Sequence, residues 1–367
     1  MMKVKLKDIA SFSKGRQING DDLLSAGKYA YLNGGIYPSG YWDEYNVATN
    51  SIAISEGGNS CGYVNYMQSP FWCGAHCYYL YNLKYPNVKY LYYALKAQQD
   101  KIMKLRSGAC MPNIKKSDLA EFEFEYNFDN NYQNVVVNQL DNLENLINLR
   151  KQQLAKLDEL VKSRFIEMFG DVINNDRNWP MATMGDVAEI KIGPFGTLLH
   201  KEDYIVGGHA LVNPSHIVDG KISVDISLTI SDEKYEELSA YHLKLDDIVL
   251  GRRGEMGRCA VVREEGLLCG TGSLIIRPNK KLKPYFLQTI ISNPTYKKII
   301  EDKAVGVTMM NLNVPIVESL RVPMLPIELQ NDFIAFMEQV DKSKFEIQKS
   351  LQQLETLKKA LMQKYFG

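Results

Sequence analysis

The spacing of apolar residues predicts two long amphipathic helices, in residues 132–170 and 329–367. In both stretches apolar side chains recur in steps of three and four, and no Pro or Gly interrupts them before the terminal glycine. This spacing is typical of a coiled-coil seam. The seam residues are Val136, Leu140, Leu143, Ile147, Leu154, Leu157 and Val161 in the first helix, and Phe333, Met337, Val340, Ile347, Leu351 and Leu354 in the second.

Further apolar side chains widen this stripe beyond a two-stranded seam, so it can contact more than one neighbour. They are Leu146, Leu149, Leu160, Phe336 and Leu357. Each helix would be roughly 58 Å long at the usual rise per residue. The helices could dock on their own globular parts. Because such a length exceeds what a small domain covers, we expect them to pair with each other in opposite directions, related by a pseudo-twofold axis.

The chain is an internal duplication. The two helical stretches align without a gap, so that Gln133 matches Gln330 and Phe169 matches Phe366 at one constant offset. The repeat continues outside the helices. Residues 6–10 resemble residues 184–188, and residues 108–114 resemble residues 306–312. The second copy is longer inside its globular part, as expected for variable loops on a common scaffold.

The globular parts mix short strand-like runs with helical stretches, separated by clusters of Gly, Pro, Asn and Ser. The predicted class is α+β, with two tandem mixed domains that are each followed by a long helix, the helices forming an antiparallel coiled coil. The predicted bounds are 1–128 for the first domain, 129–170 for the first helix, 171–180 for a linker, 181–326 for the second domain and 327–367 for the second helix.

Composition favours a soluble cytoplasmic protein that acts with a partner. No apolar run is long enough to predict a membrane span, and residues 1–8 lack the apolar core of a secretory signal. The 367 residues include 43 basic and 43 acidic side chains, so the formal net charge is zero. A free-standing DNA-binding protein is often basic. If this chain binds DNA, we expect a partner to neutralise most of the phosphates.

Catalytic motifs are not found in the sequence. The glycine cluster at residues 251–257 has the wrong spacing for a dinucleotide fingerprint, and neither a phosphate-binding loop nor an amino-methyltransferase tetrapeptide is present. Acidic residues are scattered without a nuclease-like cluster. We therefore expect no catalytic residue in this chain.

A metal-dependent enzyme is one alternative. Cys73, His76 and Cys77 lie close together and could hold a metal ion with Cys61 or Cys110. Structural zinc sites usually add a second close-spaced pair of ligands, and none follows here. The second copy lacks an equivalent cluster. We therefore expect no bound metal. A protein-only coiled-coil adaptor is a further alternative.

Loop residues of both globular parts suit nucleic-acid recognition. Arg and Lys can contact guanine edges and phosphates, and Asn can contact adenine. The candidates in the first part are Lys14, Arg16, Asn33, Tyr37, Tyr41, Asn59, Ser60 and Asn113. Those in the second part are Lys201, Asn213, His216, Arg252, Arg253, Arg258, Thr271, Asn311 and Asn313.

Several segments resemble the specificity subunit of type I restriction-modification systems. In the second globular part they are residues 192–199, residues 211–222 with their Asp219-Gly220 turn, residues 245–250, Arg253-Gly254, Gly257-Arg258, and residues 320–326 followed by Glu328 and Gln330. The first part resembles the family more loosely, through residues 54–58, 62–64 and 71–72. It departs from the pattern at residues 122–126, which lack the Val322-Pro323 pair of the second copy.

The resemblance implies that each globular part is a target recognition domain. Each would read one part of a bipartite, asymmetric double-stranded DNA target from the major groove, and the helices would set the spacer between the two parts. The resemblance also implies two DNA methyltransferase (modification) subunits bound to the helices, and restriction motor-nuclease subunits that join them in host defence. S-adenosylmethionine, ATP and Mg would belong to those partners, with no cofactor bound by this chain.

Overall fold

The computed structural model describes residues 1–108, 112–195, 198–254, 256–306 and 311–367. Cys110 of the candidate metal group lies outside these residues, as do Gly196 and Thr197 and parts of the resembling segments 108–114 and 306–312. None of the described helices is long and apolar enough to cross a membrane.

The first globular part contains nine of the described strands and four short helices. The strands are β1 (Met2–Lys5), β2 (Ser11–Lys14), β3 (Tyr29–Leu32), β4 (Gly40–Trp42), β5 (Ser51–Ser55), β6 (Val64–Met67), β7 (Phe71–Cys73), β8 (Cys77–Tyr81) and β9 (Glu123–Tyr126). The helices are α1 (Leu6–Ile9), α2 (Val88–Ala97), α3 (Gln99–Met103) and α4 (Lys116–Ala120). The long helix α5 (Asn130–Phe169) follows.

The second globular part repeats this order with additions. Its described strands are β10 (Met181–Thr183), β11 (Ala188–Ile192), β12 (Tyr204–Ile205), β13 (His209–Val212), β14 (Ile217–Val218), β15 (Lys221–Ile222), β16 (Thr229–Ile230), β17 (Ile248–Gly251), β18 (Cys259–Val261), β19 (Leu268–Cys269), β20 (Ser273–Pro278) and β21 (Arg321–Pro323). Its helices are α6 (Met184–Val187), α7 (Asp232–Glu237), α8 (Pro284–Ser292), α9 (Pro294–Lys303) and α10 (Val314–Glu318), before the long helix α11 (Ile327–Phe366).

Both globular parts have one strand topology. The main antiparallel sheet has the order β2-β8-β5-β6 in the first part and β11-β20-β17-β18 in the second. A parallel pair lies beside it in each part, β3 with β7 and β13 with β19. Each part also has a two-stranded antiparallel ladder, formed by β1 with β9 in the first part and by β10 with β21 in the second. The second strand of each ladder comes just before the long helix. The mixed α+β class and the tandem duplication are thereby confirmed.

Most of the extra length of the second copy lies in one connection. Residues 33–50 connect β3 to β5 in the first part, whereas residues 213–247 connect β13 to β17 in the second. The longer connection includes the β14–β15 hairpin and α7. Asp219 and Gly220 make the turn of this hairpin with φ of 50° and 71°, which is the left-handed conformation that two-residue hairpin turns require.

The chain divides into two compact units. The first unit comprises Met1–Gln153 with Ile347–Gly367, and the second comprises Leu154–Glu346. Each unit therefore combines one globular part with a segment of both long helices. The helices observed at Asn130–Phe169 and Ile327–Phe366 lie within the predicted ranges 129–170 and 327–367, but the unit boundary passes through both of them.

In the first unit the helix segments run in opposite directions. Tyr365 donates a hydrogen bond to Gln139 at 2.5 Å, and Lys358 Nζ lies 2.6 Å from Glu144 Oε1. As residue numbers increase along α5, the numbers of the contacting residues in α11 therefore decrease. Of the predicted seam residues, Val136, Leu140, Leu143 and Ile147 are buried, and Ile347, Leu351 and Leu354 are half-buried.

The second unit has the same antiparallel arrangement. Lys344 Nζ lies 2.5 Å from Asp158 Oδ1, and the rings of Phe165 and Phe333 are 5.4 Å apart. The predicted seam residues Phe333 and Val340 are buried, and Leu154, Leu157, Val161 and Met337 are half-buried. The predicted antiparallel pairing of the helices is therefore confirmed within each unit.

Candidate nucleic-acid interface

Loops from separate parts of the first unit meet beside the ends of β2, β3, β5 and β7. Arg16 N donates to Cys73 O at 2.9 Å, and Glu56 N donates to His76 O at 2.8 Å. Gly57 forms a β-bridge with Asn113. These contacts gather six residues that we call the first loop cluster: Lys14, Arg16, Asn33, Glu56, His76 and Asn113.

An ion group occupies the centre of the first loop cluster. Glu56 is only 7% exposed, and its Oε1 lies 2.8 Å from Lys14 Nζ, while its Oε2 lies 3.6 Å from His76 Nδ1. The side chains of Lys14 and His76 are 47% and 62% exposed. A buried carboxylate requires such partners, because desolvation disfavours an unpaired charge. Sequence reasoning did not select Glu56, which directly follows β5.

Asn33 is held in place within this cluster. Its Oδ1 accepts a hydrogen bond from His76 N at 3.0 Å, and its Nδ2 donates to Gln17 Oε1 at 3.2 Å. The side chain lies so close to Gly74 that a Cβ there would be 2.2 Å from Asn33 Oδ1. Both polar atoms of its amide therefore hold the loops. The prediction that Asn33 contacts a base gains no support from this arrangement.

The second unit has an equivalent group of loops. Arg252 N donates to Gly272 O at 3.0 Å, and Arg252 Nε donates to Thr271 O at 3.2 Å. Arg252 O accepts from Leu312 N at 3.1 Å, which joins the segment after Asn311 to these loops. We call Asn213, His216, Arg252, Thr271 and Asn311 the second loop cluster.

Two residues of the second loop cluster that were predicted to contact DNA are buried. Arg252 is 5% exposed, and this burial, followed by the neighbouring charge of Arg253, lowers the pKa of its guanidinium. His216 is 7% exposed, and its Nδ1 lies 2.7 Å from Leu211 O. Both side chains are therefore positioned to hold loops, while Arg253 beside them is exposed.

Asn213 repeats the arrangement of Asn33. A Cβ on Gly270 would lie 2.1 Å from Asn213 Oδ1. Gly270 follows β19 as Gly74 follows β7, so both parts use one asparagine-on-glycine contact at the end of their parallel strand pair. Asn311 pairs through its backbone with Val305, and its side-chain Oδ1 is buried without a hydrogen-bond partner among the described residues.

The remaining candidates lie elsewhere on their units. Tyr37, in the loop before β4, is 79% exposed, and Tyr41 within β4 is 37% exposed. Asn59 is exposed and Ser60 is half-buried, in the turn after Gly58. These four residues supply polar and aromatic surface in the first unit, but none of them has a hydrogen bond or ion pair to the first loop cluster in the part of the chain that the structure describes.

In the second unit Lys201 is exposed in a short 3₁₀ turn. Arg258 lines a cavity of about 300 Å³ with Asp219 and Lys297. Asn313 caps α10, its Oδ1 accepting from Ile316 N at 3.0 Å. A capping role accounts for Asn313 without DNA.

The cysteines of the metal alternative are used inside the protein. Cys61 Sγ donates to Glu56 O at 3.0 Å, and Cys73 Sγ donates to Cys77 O at 3.4 Å. Cys61, Cys73 and Cys77 are all buried, and burial raises the pKa of the Cys61 thiol. His76 faces Glu56 instead. Within the described ranges no group of three or more His, Cys, Asp and Glu side chains is arranged to hold a metal ion.

Comparison with known families identifies this fold. The model of the type I restriction modification DNA specificity domain matches residues 1–159 and 176–359, which is most of the chain. This chain belongs to that specificity family. The family resemblance predicted from the sequence is thereby confirmed.

Individual relatives agree with the family match. A protein of Mycoplasma genitalium named as a type I specificity subunit is 35% identical over 171 residues, covering 44% of this chain and 44% of the relative. A similarly named protein of Mycoplasma pneumoniae is 40% identical over 121 residues, covering 32% of each. The chain thus spans less than half the length of these relatives.

Solved structures share the specificity-family fold. The crystal structure of a type I restriction-modification S subunit from M. genitalium superposes with a TM-score of 0.67 at 22% identity, covering 100% of this chain and 96% of that chain. A second structure, from work on complex assembly and conformational transition of the type I system, gives 0.58 at 13% identity, covering 99% and 96%.

The long helices of this specificity-family chain keep apolar side chains exposed. In the first unit Leu146, Leu149 and Leu357 are 44%, 54% and 47% exposed. In the second unit Leu160 is 47% exposed. The positions predicted to widen the apolar stripe therefore remain available after the helices have paired, apart from Phe336, which is half-buried.

Proposed function

We propose that this chain is the non-catalytic DNA specificity subunit of a type I restriction-modification complex. Each loop cluster contacts one part of a bipartite double-stranded DNA target in the major groove. The observation that carries this proposal is the reuse of one loop scaffold with different side chains, supported by family membership. A shared scaffold gives the two domains one way of docking, and different side chains give them different base preferences.

The long helices provide the second part of the proposed function. They set the spacing between the two parts of the target, and their exposed leucines bind two DNA methyltransferase subunits. Restriction motor-nuclease subunits join the same complex. The formal net charge of zero supports a role for partners, because sequence-independent DNA affinity depends on phosphate neutralisation. S-adenosylmethionine, ATP and Mg are held by those subunits, and the chemistry takes place there.

Methylation-sensitive sequencing tests this proposal directly. Cells express the chain with its modification subunit, and the control cells express the modification subunit alone. We expect a new split motif with methyladenine in both parts only when this chain is present. Unchanged methylation, with both proteins shown to be expressed and associated, would contradict the proposed function.

A separate variant tests the contact surface. Arg253 is exposed next to the buried Arg252, so Arg253→Ala removes a cation without disturbing the loop contacts that Arg252 makes. We expect weaker DNA binding by the assembled complex and unchanged subunit composition by light scattering. Equal DNA affinity would remove Arg253 from the interface. The buried Arg252→Ala serves as the comparison, with loss of loop packing expected.

A further inference from the structure

Glu56 and Arg252 occupy the same position in the two globular parts. Glu56 follows the last residue of β5, and Arg252 follows the last residue of β17. The backbone N–H of Glu56 donates to His76 O at 2.8 Å, in the loop before β8. The backbone N–H of Arg252 donates to Gly272 O at 3.0 Å, in the loop before β20. Each accepts a backbone hydrogen bond before the last short helix, from Ile114 N and Leu312 N respectively. One scaffold position therefore carries opposite charges.

The surroundings of this position also differ. Lys14 pairs with Tyr78 at the end of β2, and Ile192 pairs with Leu274 at the corresponding end of β11. His76 corresponds to Gly272 through the backbone hydrogen bonds just described. Lys14 and His76, which face Glu56, are therefore replaced in the second part by Ile192 and Gly272, neither of which has a titratable side chain. The Lys14–Glu56–His76 group is a feature of the first part alone.

The geometry of this group suits contact with a ligand outside the protein. Glu56 is buried, whereas about half of each side chain of Lys14 and His76 faces solvent. His76 is held from both sides, because its backbone N–H donates to Asn33 Oδ1 and its ring faces the carboxylate. Fixing a long side chain before binding reduces the entropy lost on complex formation. Lysine can donate to guanine O6 and N7, and a histidine ring can donate to the same acceptors.

We propose that Lys14 and His76 contact DNA in the first target recognition domain, and that Glu56 is the positioning residue that holds them. This inference rests on the proposed function and deepens it by assigning a base-preference group to one domain. Because the second domain carries Arg252, Ile192 and Gly272 at these positions, the group affects only the part of the target that the first domain reads.

The assembled complex of this chain and its modification subunit provides the test. Lys14→Met and His76→Ala are expected to relax or change the bases accepted in one part of the methylated motif, with affinity for the wild-type target lowered roughly tenfold, the usual size of a single base contact. The other part of the motif is expected to stay unchanged. Lys84→Met is the matched control, since Lys84 lies beyond the opposite end of the β2–β8 pair, where its N–H donates to Ile9 O.

Glu56 is tested with two variants. Glu56→Gln keeps the size of the side chain but removes its charge, and we expect it to alter the same part of the motif as Lys14→Met. Glu56→Asp is expected to restore part of the wild-type preference. A purely structural role would lower thermal stability without changing the accepted bases, and that result would overturn the positioning role.

The outcomes separate this inference from the proposed function. If the wild-type complex methylates a split motif and Lys14→Met and His76→Ala methylate the same motif with the same affinity, the inference is wrong and the proposed function stands. If the wild-type complex directs no sequence-specific methylation, the proposed function fails and the inference fails with it.

Discussion

Phe366, in the last turn of α11, packs against Tyr90 of α2 with their ring centroids 5.3 Å apart. Both side chains are buried, at 1% and 0% exposure. The second unit repeats this relationship. Phe169, in the last turn of α5, packs against Phe286 of α8 at 5.1 Å. Each long helix thus ends by inserting one aromatic ring beside the helix that follows the main sheet of that unit.

Removing this ring should destabilise the first unit. We expect Phe366→Ala to lower the free energy of unfolding by about 3–5 kcal/mol, the usual cost of deleting a buried phenylalanine ring. The measurement is denaturant unfolding followed by tyrosine and tryptophan fluorescence. Phe366→Leu keeps most of the apolar volume and should cost less. An Ala variant as stable as wild type would show that the ring contributes little to the packing.

The ion pair of Asp247 and Arg277 supports a second prediction. Arg277 donates from Nε and Nη2 to the two carboxylate oxygens of Asp247, at 2.7 Å each, and Asp247 is 1% exposed. Asp247→Ala would leave the guanidinium with only its 3.5 Å contact to the half-exposed carboxylate of Glu189, so we expect a loss of about 3 kcal/mol in the free energy of unfolding. Asp247→Asn keeps the shape and should lose less. If Asp247→Ala has the same midpoint of urea unfolding as wild type, the ion pair contributes no net stability.

Much of this fold could be predicted from sequence because its main signals are local. The apolar spacing predicted the length and pairing face of α5 and α11, and the internal repeat predicted a common scaffold for both globular parts. The match of Phe169 with Phe366 was visible too. Their docking partners Phe286 and Tyr90 were not, since each contact joins residues that are distant in the chain.

The candidate site was predicted less completely, because residue type does not reveal burial. Arg252 and His216 were selected as polar loop residues, yet their side chains hold the loops from inside. Glu56 was noted only within the resembling segment 54–58, and His76 was considered only as a metal ligand. What links these two residues is a tertiary contact between the end of β5 and the β7–β8 loop, which no spacing rule in the sequence predicts.

The exposed helix leucines give a third prediction, which concerns partner binding. Leu160 and Leu357 are matched positions of the repeat, each 47% exposed in its own unit. Leu160→Glu and Leu357→Glu should leave the chain folded, because neither side chain is buried, and should weaken capture of the modification subunit. Size-exclusion chromatography with light scattering measures the captured subunits. Leu160→Met and Leu357→Met are the controls and should assemble as wild type does; full assembly of the Glu variants would place the partner elsewhere.

Lys96 gives a pH-dependent prediction for the first unit. Its Nζ donates to Val64 O at 2.9 Å and lies 3.5 Å from the centre of the Tyr63 ring. Burial, followed by the charge of Lys358, lowers the pKa of Lys96 to about 8, against an ordinary value of 10.5, and Glu144 opposes the shift. The charged form is therefore disfavoured in the folded state.

The sign of the effect follows from proton binding. Between pH 8 and 10.5 the unfolded chain holds the Lys96 proton while the folded chain releases it, so this residue makes the free energy of unfolding rise with pH. Wild type is compared with Lys96→Met at each pH, so that the contributions of all other titrating groups cancel. We expect wild type to gain stability relative to the variant across this window, and Lys101→Met, at an exposed lysine, is measured as the control. If the free energies of unfolding of wild type and Lys96→Met differed by the same amount at every pH in this window, Lys96 would have the same pKa in the folded and unfolded chain. That result would contradict the prediction.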